Sequence, residues 1–87
     1  MANIGMDTAA AQQTVGTFRA ESANLTASIR KVQGAFERTW WEGSDKQAFV
    51  GEWATSRGQP EKATALLLDA ANKLDKNRQE QESTSGR

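Results

Sequence analysis

The sequence predicts an all-α fold, an antiparallel helical hairpin that pairs with a second hairpin into a four-helix-bundle dimer. Three observations predict it. Apolar residues recur at alternating steps of four and three on both sides of the chain centre, the spacing of helices laid against helices. A glycine and a set of helix-starting polar residues interrupt that pattern near residue 43. The chain also carries more large aromatics than two helices can hide between them.

The first seam is Ile4, Thr8, Ala11, Val15, Phe18, Ser22, Leu25, Ile29, Val32 and Phe36, in which only Thr8 and Ser22 are polar. It predicts a helix over about residues 7–39, capped at its start by Asp7 or Thr8. Gly16 and Gly34 lie off the seam, and each costs about 1 kcal/mol relative to alanine inside a helix. Tertiary packing must therefore hold this helix.

The stretch "RTWWEGSDKQAF" begins at Arg38 and contains the bend, residues 40–43. Gly43 permits the turn, through a positive φ or a close approach of backbones. Trp41 is expected to close the bend end of the hairpin, and Trp40 to enter the core or a partner. "SDKQ" fits a capping box, with Ser44 as N-cap and Gln47 reaching back to it, so the second helix starts at about residue 44.

The second seam is Phe49, Trp53, Ser56, Pro60, Ala63, Leu67, Ala70 and Leu74, with Leu66 and Ala71 widening it. It predicts a helix over about 44–77. Pro60 lacks a backbone donor and crowds the preceding turn. One kinked helix is the expectation, and a break between Gly58 and Pro60 the alternative. A helix of thirty residues spans about 45 Å, and a short connection between two such helices makes them antiparallel. After Leu74 no apolar residue follows, so residues 79–87 are expected to form a flexible tail. The residues expected at the hairpin and dimer interface are Phe18, Leu25, Ile29, Val32, Phe36, Trp40, Phe49, Trp53, Leu67 and Leu74.

Composition narrows the chemistry. Eighty-seven residues allow one small domain, near the size at which folding alone is marginal. With no cysteine there is no disulfide, and with no histidine the commonest zinc ligand is missing. Pairing with another chain is the stabilising device left. No histidine acid–base group, thiol nucleophile, nucleophile elbow or phosphate-cradling glycine loop is present, so no enzyme, cofactor or metal is expected. Eleven basic and eleven acidic residues balance without a basic patch, which argues against nucleic acid. The run "ALLL" is too short to span a bilayer. The balanced polar faces do not suit a membrane-active amphipathic hairpin. No cleavable signal peptide is visible at the start of the sequence.

The residues Trp41-Glu42-Gly43 at the centre of two heptad helices, with Phe49 eight residues after Trp41, resemble the WXG family of early-secreted-antigen-like proteins. The likeness extends over nearly the whole chain. It implies a helix–turn–helix hairpin that forms homodimers or heterodimers as four-helix bundles. It also implies export from Gram-positive bacteria by the type VII system, without a cleaved signal and from a cytoplasmic pool. In that family a C-terminal Tyr-x-x-x-Asp/Glu beside the partner's Trp-x-Gly bend is read by a membrane-associated secretion ATPase. This sequence contains no tyrosine. The implied partner is the chain itself or a second WXG-type protein, including one that supplies the missing tyrosine signal. A cytosolic coiled-coil adaptor without export is the alternative.

Overall fold

The structure, a computed structural model, describes residues 5–85, with side chains through Ser83. It contains three helices and, among the described residues, no strand: α1 (Thr8–Arg38), α2 (Ser44–Ser56) and α3 (Gly58–Ser85). Ile4, the first position of the expected seam, lies outside the described residues.

Asp7 caps α1, its Oδ1 accepting from the Ala10 N–H at 3.0 Å. The helix stops at Arg38, where Thr39 turns extended; its N–H reaches the Phe36 carbonyl at 3.1 Å and its hydroxyl the Ala35 carbonyl at 3.0 Å. Both bonds satisfy carbonyls that the end of a helix otherwise leaves open.

Gly43 is the residue with positive φ among those described, at φ 116° and ψ −179°. That conformation is closed to residues with a Cβ, so the turn into α2 depends on glycine. It also corrects the expected cap. Gly43, not Ser44, stands at the N-cap, and no side-chain capping bond forms there. Ser44 is already helical, and the Gln47 N–H bonds to the Gly43 carbonyl at 3.3 Å instead of to a serine hydroxyl.

α2 and α3 form one bent arm. The interruption falls at Arg57, three residues ahead of Pro60. Proline lacks the N–H that would bond to the Ser56 carbonyl, and the helix loosens at that missing bond. The turn is not broken, because the Arg57 N–H still reaches Trp53 O at 2.9 Å and the Glu61 N–H reaches Arg57 O at 3.1 Å.

The expected flexible tail is likewise corrected for residues 79–85: α3 continues to Ser85, while residues 86–87 lie outside the described ones. What holds this polar stretch in a helix is pairing between side chains one turn apart. Arg78 bonds Asp75 (3.0 Å) and Glu82 (2.8 Å), and Gln79 Nε2 donates to Asp75 Oδ2 at 3.1 Å.

α1 lies antiparallel along α3, while the backbone of α2 stays more than 8 Å from that of α1. The result is a rod of 67 × 18 × 16 Å with a radius of gyration of 19.9 Å, where a compact chain of this length would have about 12 Å. The interior is thin. Among the described residues the buried apolar side chains are Ala11, Val15 and Ala71, and they are joined by Ser22, whose hydroxyl donates to the Thr64 carbonyl at 3.2 Å.

Candidate functional site

The described residues place no metal-ligating cluster on either arm, and no helix among them is long and apolar enough to cross a membrane. Two shallow concavities lie along α2, and the larger, about 640 Å³, is lined by residues of that one helix from Gln47 to Ser56. An open groove without a facing wall cannot preorganise polar groups around a small ligand. The features that remain are the bend end and the long faces of the rod.

At the bend end an aromatic cluster bridges α1 and α2. Phe49 stands between Phe36, at 5.1 Å between ring centroids, and Trp41, at 5.6 Å, both rings tilted. These are favourable offsets for ring pairs. Four residues along α2, the Trp53 indole N–H donates to Gln33 Oε1; Arg57 Nη1 reaches the same oxygen at 3.4 Å, and Gln33 Nε2 donates to Glu37 at 3.0 Å. Large side chains thus span the gap that keeps the α2 backbone from α1. Trp40 takes no part in the cluster: it is 84% exposed. The expectation that it enters the hairpin core fails: its ring stands outside, while the neighbouring Trp41 packs against Phe49.

At the open end the cross-helix contact is ionic. Arg19 meets Asp75 at 3.7 Å, and Asp75 also holds Arg78. The hydrogen bond to Asp75, and then the one to Glu82, push the Arg78 guanidinium further above its already high ordinary range. It stays charged at every pH at which the protein would be handled.

The expected interface residues divide between two environments. Phe18, Leu25, Ile29, Phe36, Trp53, Leu67 and Leu74 are half-buried. Val32 is 50% exposed and Phe49 39%, and neither is closed off within one chain. Along the α2–α3 arm, the line facing α1 runs Trp53, Arg57, Pro60, Thr64, Leu67, Ala71, Leu74 and Arg78, none of them exposed. The expected stripe shared Trp53, Pro60, Leu67, Leu74 and the widening Ala71 with that line. It placed Ser56 and Ala63 where Arg57 and Thr64 stand, and gave Ala70 the seam position beside Ala71. Sequence reasoning therefore missed Gln33, Arg57 and Arg78 as structural residues. The same four-three step would have picked out the two arginines had polar residues been admitted to it.

Comparison of the chain with protein-family models, curated proteins and solved structures gives no match.

Proposed function

We propose that this chain is a non-enzymatic, protein-binding hairpin of the WXG type, one half of a four-helix bundle. It is exported by, or escorts another protein to, a type VII secretion system of a Gram-positive bacterium. The observation that carries this reading is an antiparallel helical hairpin with Trp41-Glu42-Gly43 at its bend and almost no closed core of its own. Such a hairpin is half of a packed object, and its apolar flanks need another helical surface. Trp41 supports the bend by packing on Phe49, which suits a Trp-x-Gly turn whose first role is to shape the end of the bundle.

On this reading the protein acts as a dimeric effector or as the chaperone-like partner of a second secreted chain, with the secretion ATPase engaging the complex. The test is detection in culture medium from cells with an active and an inactivated secretion ATPase. Appearance in the medium that depends on the ATPase supports the reading, and retention in the cells under both conditions overturns it. One observation favours a second reading, that of a cytosolic adaptor: the sequence has no tyrosine to build the family's export signal. Export restored only by co-expression of a tyrosine-bearing partner would decide against the adaptor.

A further inference from the structure

The second arm is not held to α1 in the same way along its length. Where α3 meets α1, Ala11, Val15, Ser22 and Ala71 are buried, and the Ser22 hydroxyl ties the two helices directly through the Thr64 carbonyl at 3.2 Å. α2 has no buried residue among its 13, and its backbone stays more than 8 Å from that of α1. Among the described residues, the polar ties from this part of the arm to α1 converge on one atom. Gln33 Oε1 accepts from the Trp53 indole N–H and from Arg57 Nη1, while Gln33 Nε2 donates to Glu37 at 3.0 Å, which leaves the amide oxygen to face α2. The other tie is the Phe49 ring on Phe36 and Trp41. Both ends of α2 are joints. At its start Gly43 stands at φ 116° and no side chain caps the helix. At its end the helical run is interrupted at Arg57, where Pro60 has no N–H for the Ser56 carbonyl.

We propose that α2 is a strap: it opens and loses its helix as a unit, with Gln33 as its clasp, while α1 and α3 stay paired. The proposal is independent of the secretion reading above. Local opening is easiest where few apolar contacts are buried and backbone hydrogen bonds face solvent, and α2 meets both conditions. Hinges are a few residues at element ends that absorb changes in φ and ψ, and Gly43 and the turn from Arg57 to Pro60 are so placed. A released α2 does not persist as a helix. Isolated helices shorter than about 12–15 residues are marginal in water, and Gly51 in the middle of this one lowers its propensity further. Opening stops at Pro60 because the bond that would carry it into α3 is already missing there. One side chain governs the step, since loss of the Gln33 oxygen deprives Trp53 and Arg57 of their α1 acceptor together. The rod is therefore divided into a fixed half, where α1 meets α3, and a conditional half at the bend end. The conditional half carries Trp41 and Phe49, and it can rearrange without dissolving the α1–α3 pairing.

Amide hydrogen exchange of the full chain, read residue by residue and corrected for intrinsic rates, tests the strap. In the wild type the amides of Phe49–Ser56 are expected to exchange at least about tenfold faster than those of Val15–Ile29 and Thr64–Leu74. Gln33→Ala is expected to speed the Phe49–Ser56 amides by a further factor of about ten, the usual worth of a lost hydrogen bond in an equilibrium, and to leave the other two segments within about twofold. Pro60→Ala, which closes the joint, is expected to slow the same α2 amides. Equal protection of all three segments in the wild type overturns the proposal. So does a Gln33→Ala effect spread evenly over them, because the hairpin then opens as one unit. Unchanged α2 exchange in Gln33→Ala overturns Gln33 as the clasp, and unchanged α2 exchange in Pro60→Ala overturns the joint. If Gln33→Ala loses helix content by circular dichroism, Trp53→Phe takes its place, since it deletes one donor to Gln33 and keeps a ring. A rise in exchange confined to α2 then supports the strap, and a general rise or none overturns it.

Discussion

Phe49→Ala removes the ring on which the bend end is assembled, and the structure sets the size of the loss. Phe49 is 39% exposed, so roughly three-fifths of the side chain is covered; full burial of a phenylalanine is worth about 1.5–3 kcal/mol, and the covered share about 1–2 kcal/mol. The contacts with Phe36 and Trp41 add about 0.5–1.5 kcal/mol each as ring pairs. The expected destabilisation is about 3 kcal/mol, at the lower end of the range for phenylalanine truncation in cores. For a domain of this size that lowers Tm by more than about 10 °C. Urea unfolding followed by circular dichroism, at one fixed protein concentration because association shifts apparent stability, measures it. A double-mutant cycle with Phe36→Ala should show coupling of about 0.5–1.5 kcal/mol. Leu74→Ala, near the other end of the rod, should add independently. A loss below about 1 kcal/mol for Phe49→Ala, or strict additivity with Phe36→Ala, would refute the bridging role given to this ring.

Further outcomes follow from the geometry. Gly43→Ala meets no neighbouring atom but is strained at φ 116°, and should cost about 1–3 kcal/mol; Gly51→Ala, inside α2 with open space at its Cβ, should instead stabilise by up to about 1 kcal/mol, both read from urea midpoints. Pro60→Ala restores a donor for the Ser56 carbonyl, and amide exchange at residues 57–60 should slow as α2 and α3 merge. Ser22→Ala removes one hydrogen bond from a site 2% exposed and should cost about 1 kcal/mol in the same unfolding assay. Trp40→Ala should change stability by less than about 0.5 kcal/mol, since the ring is 84% exposed; export or partner binding lost without a change in melting would then mark Trp40 as a recognition residue.

The architecture was legible wherever one physical signal acted alone. The α1 seam reads directly from Ala11 to Ile29 because its positions there are apolar or small, and even its polar exception, Ser22, is buried by bonding a carbonyl of the facing helix; at the next step it fails, since Val32 is exposed and Gln33 meets the α2 side chains. Asp7 was legible as one of two cap candidates, beside Thr8, because a short oxygen-bearing side chain ahead of an apolar period can accept from the first helical N–H groups. The second arm was harder, since hydrophobicity and position disagree there. Its inward line contains Arg57 and Arg78, whose stems pack while their heads reach Gln33 and Asp75, and a pattern built on apolar residues steps around them onto Ser56, Ala63 and Ala70. The Ser44 cap failed for a different reason. A capping box is a local pattern, and the positive φ at Gly43 had already taken the cap position. The helix beyond residue 78 was missed because side-chain pairing, not burial, maintains it.

That one-residue difference in the second arm bears on function as well as on assignment. In the structure Arg57 and Thr64 stand on the inward line, with Arg57 tied to Gln33 and Glu61 and the Thr64 carbonyl receiving Ser22. Polar groups on that line find partners within one chain, while Val32 and Leu66 stay 50% and 69% exposed. Polar residues inside a thin hairpin and apolar residues outside it would be a poor arrangement for a chain that works alone. It is the arrangement expected of a chain whose apolar contacts are completed by another helical surface, with the inward polar bonds fixing the register in which that surface is presented.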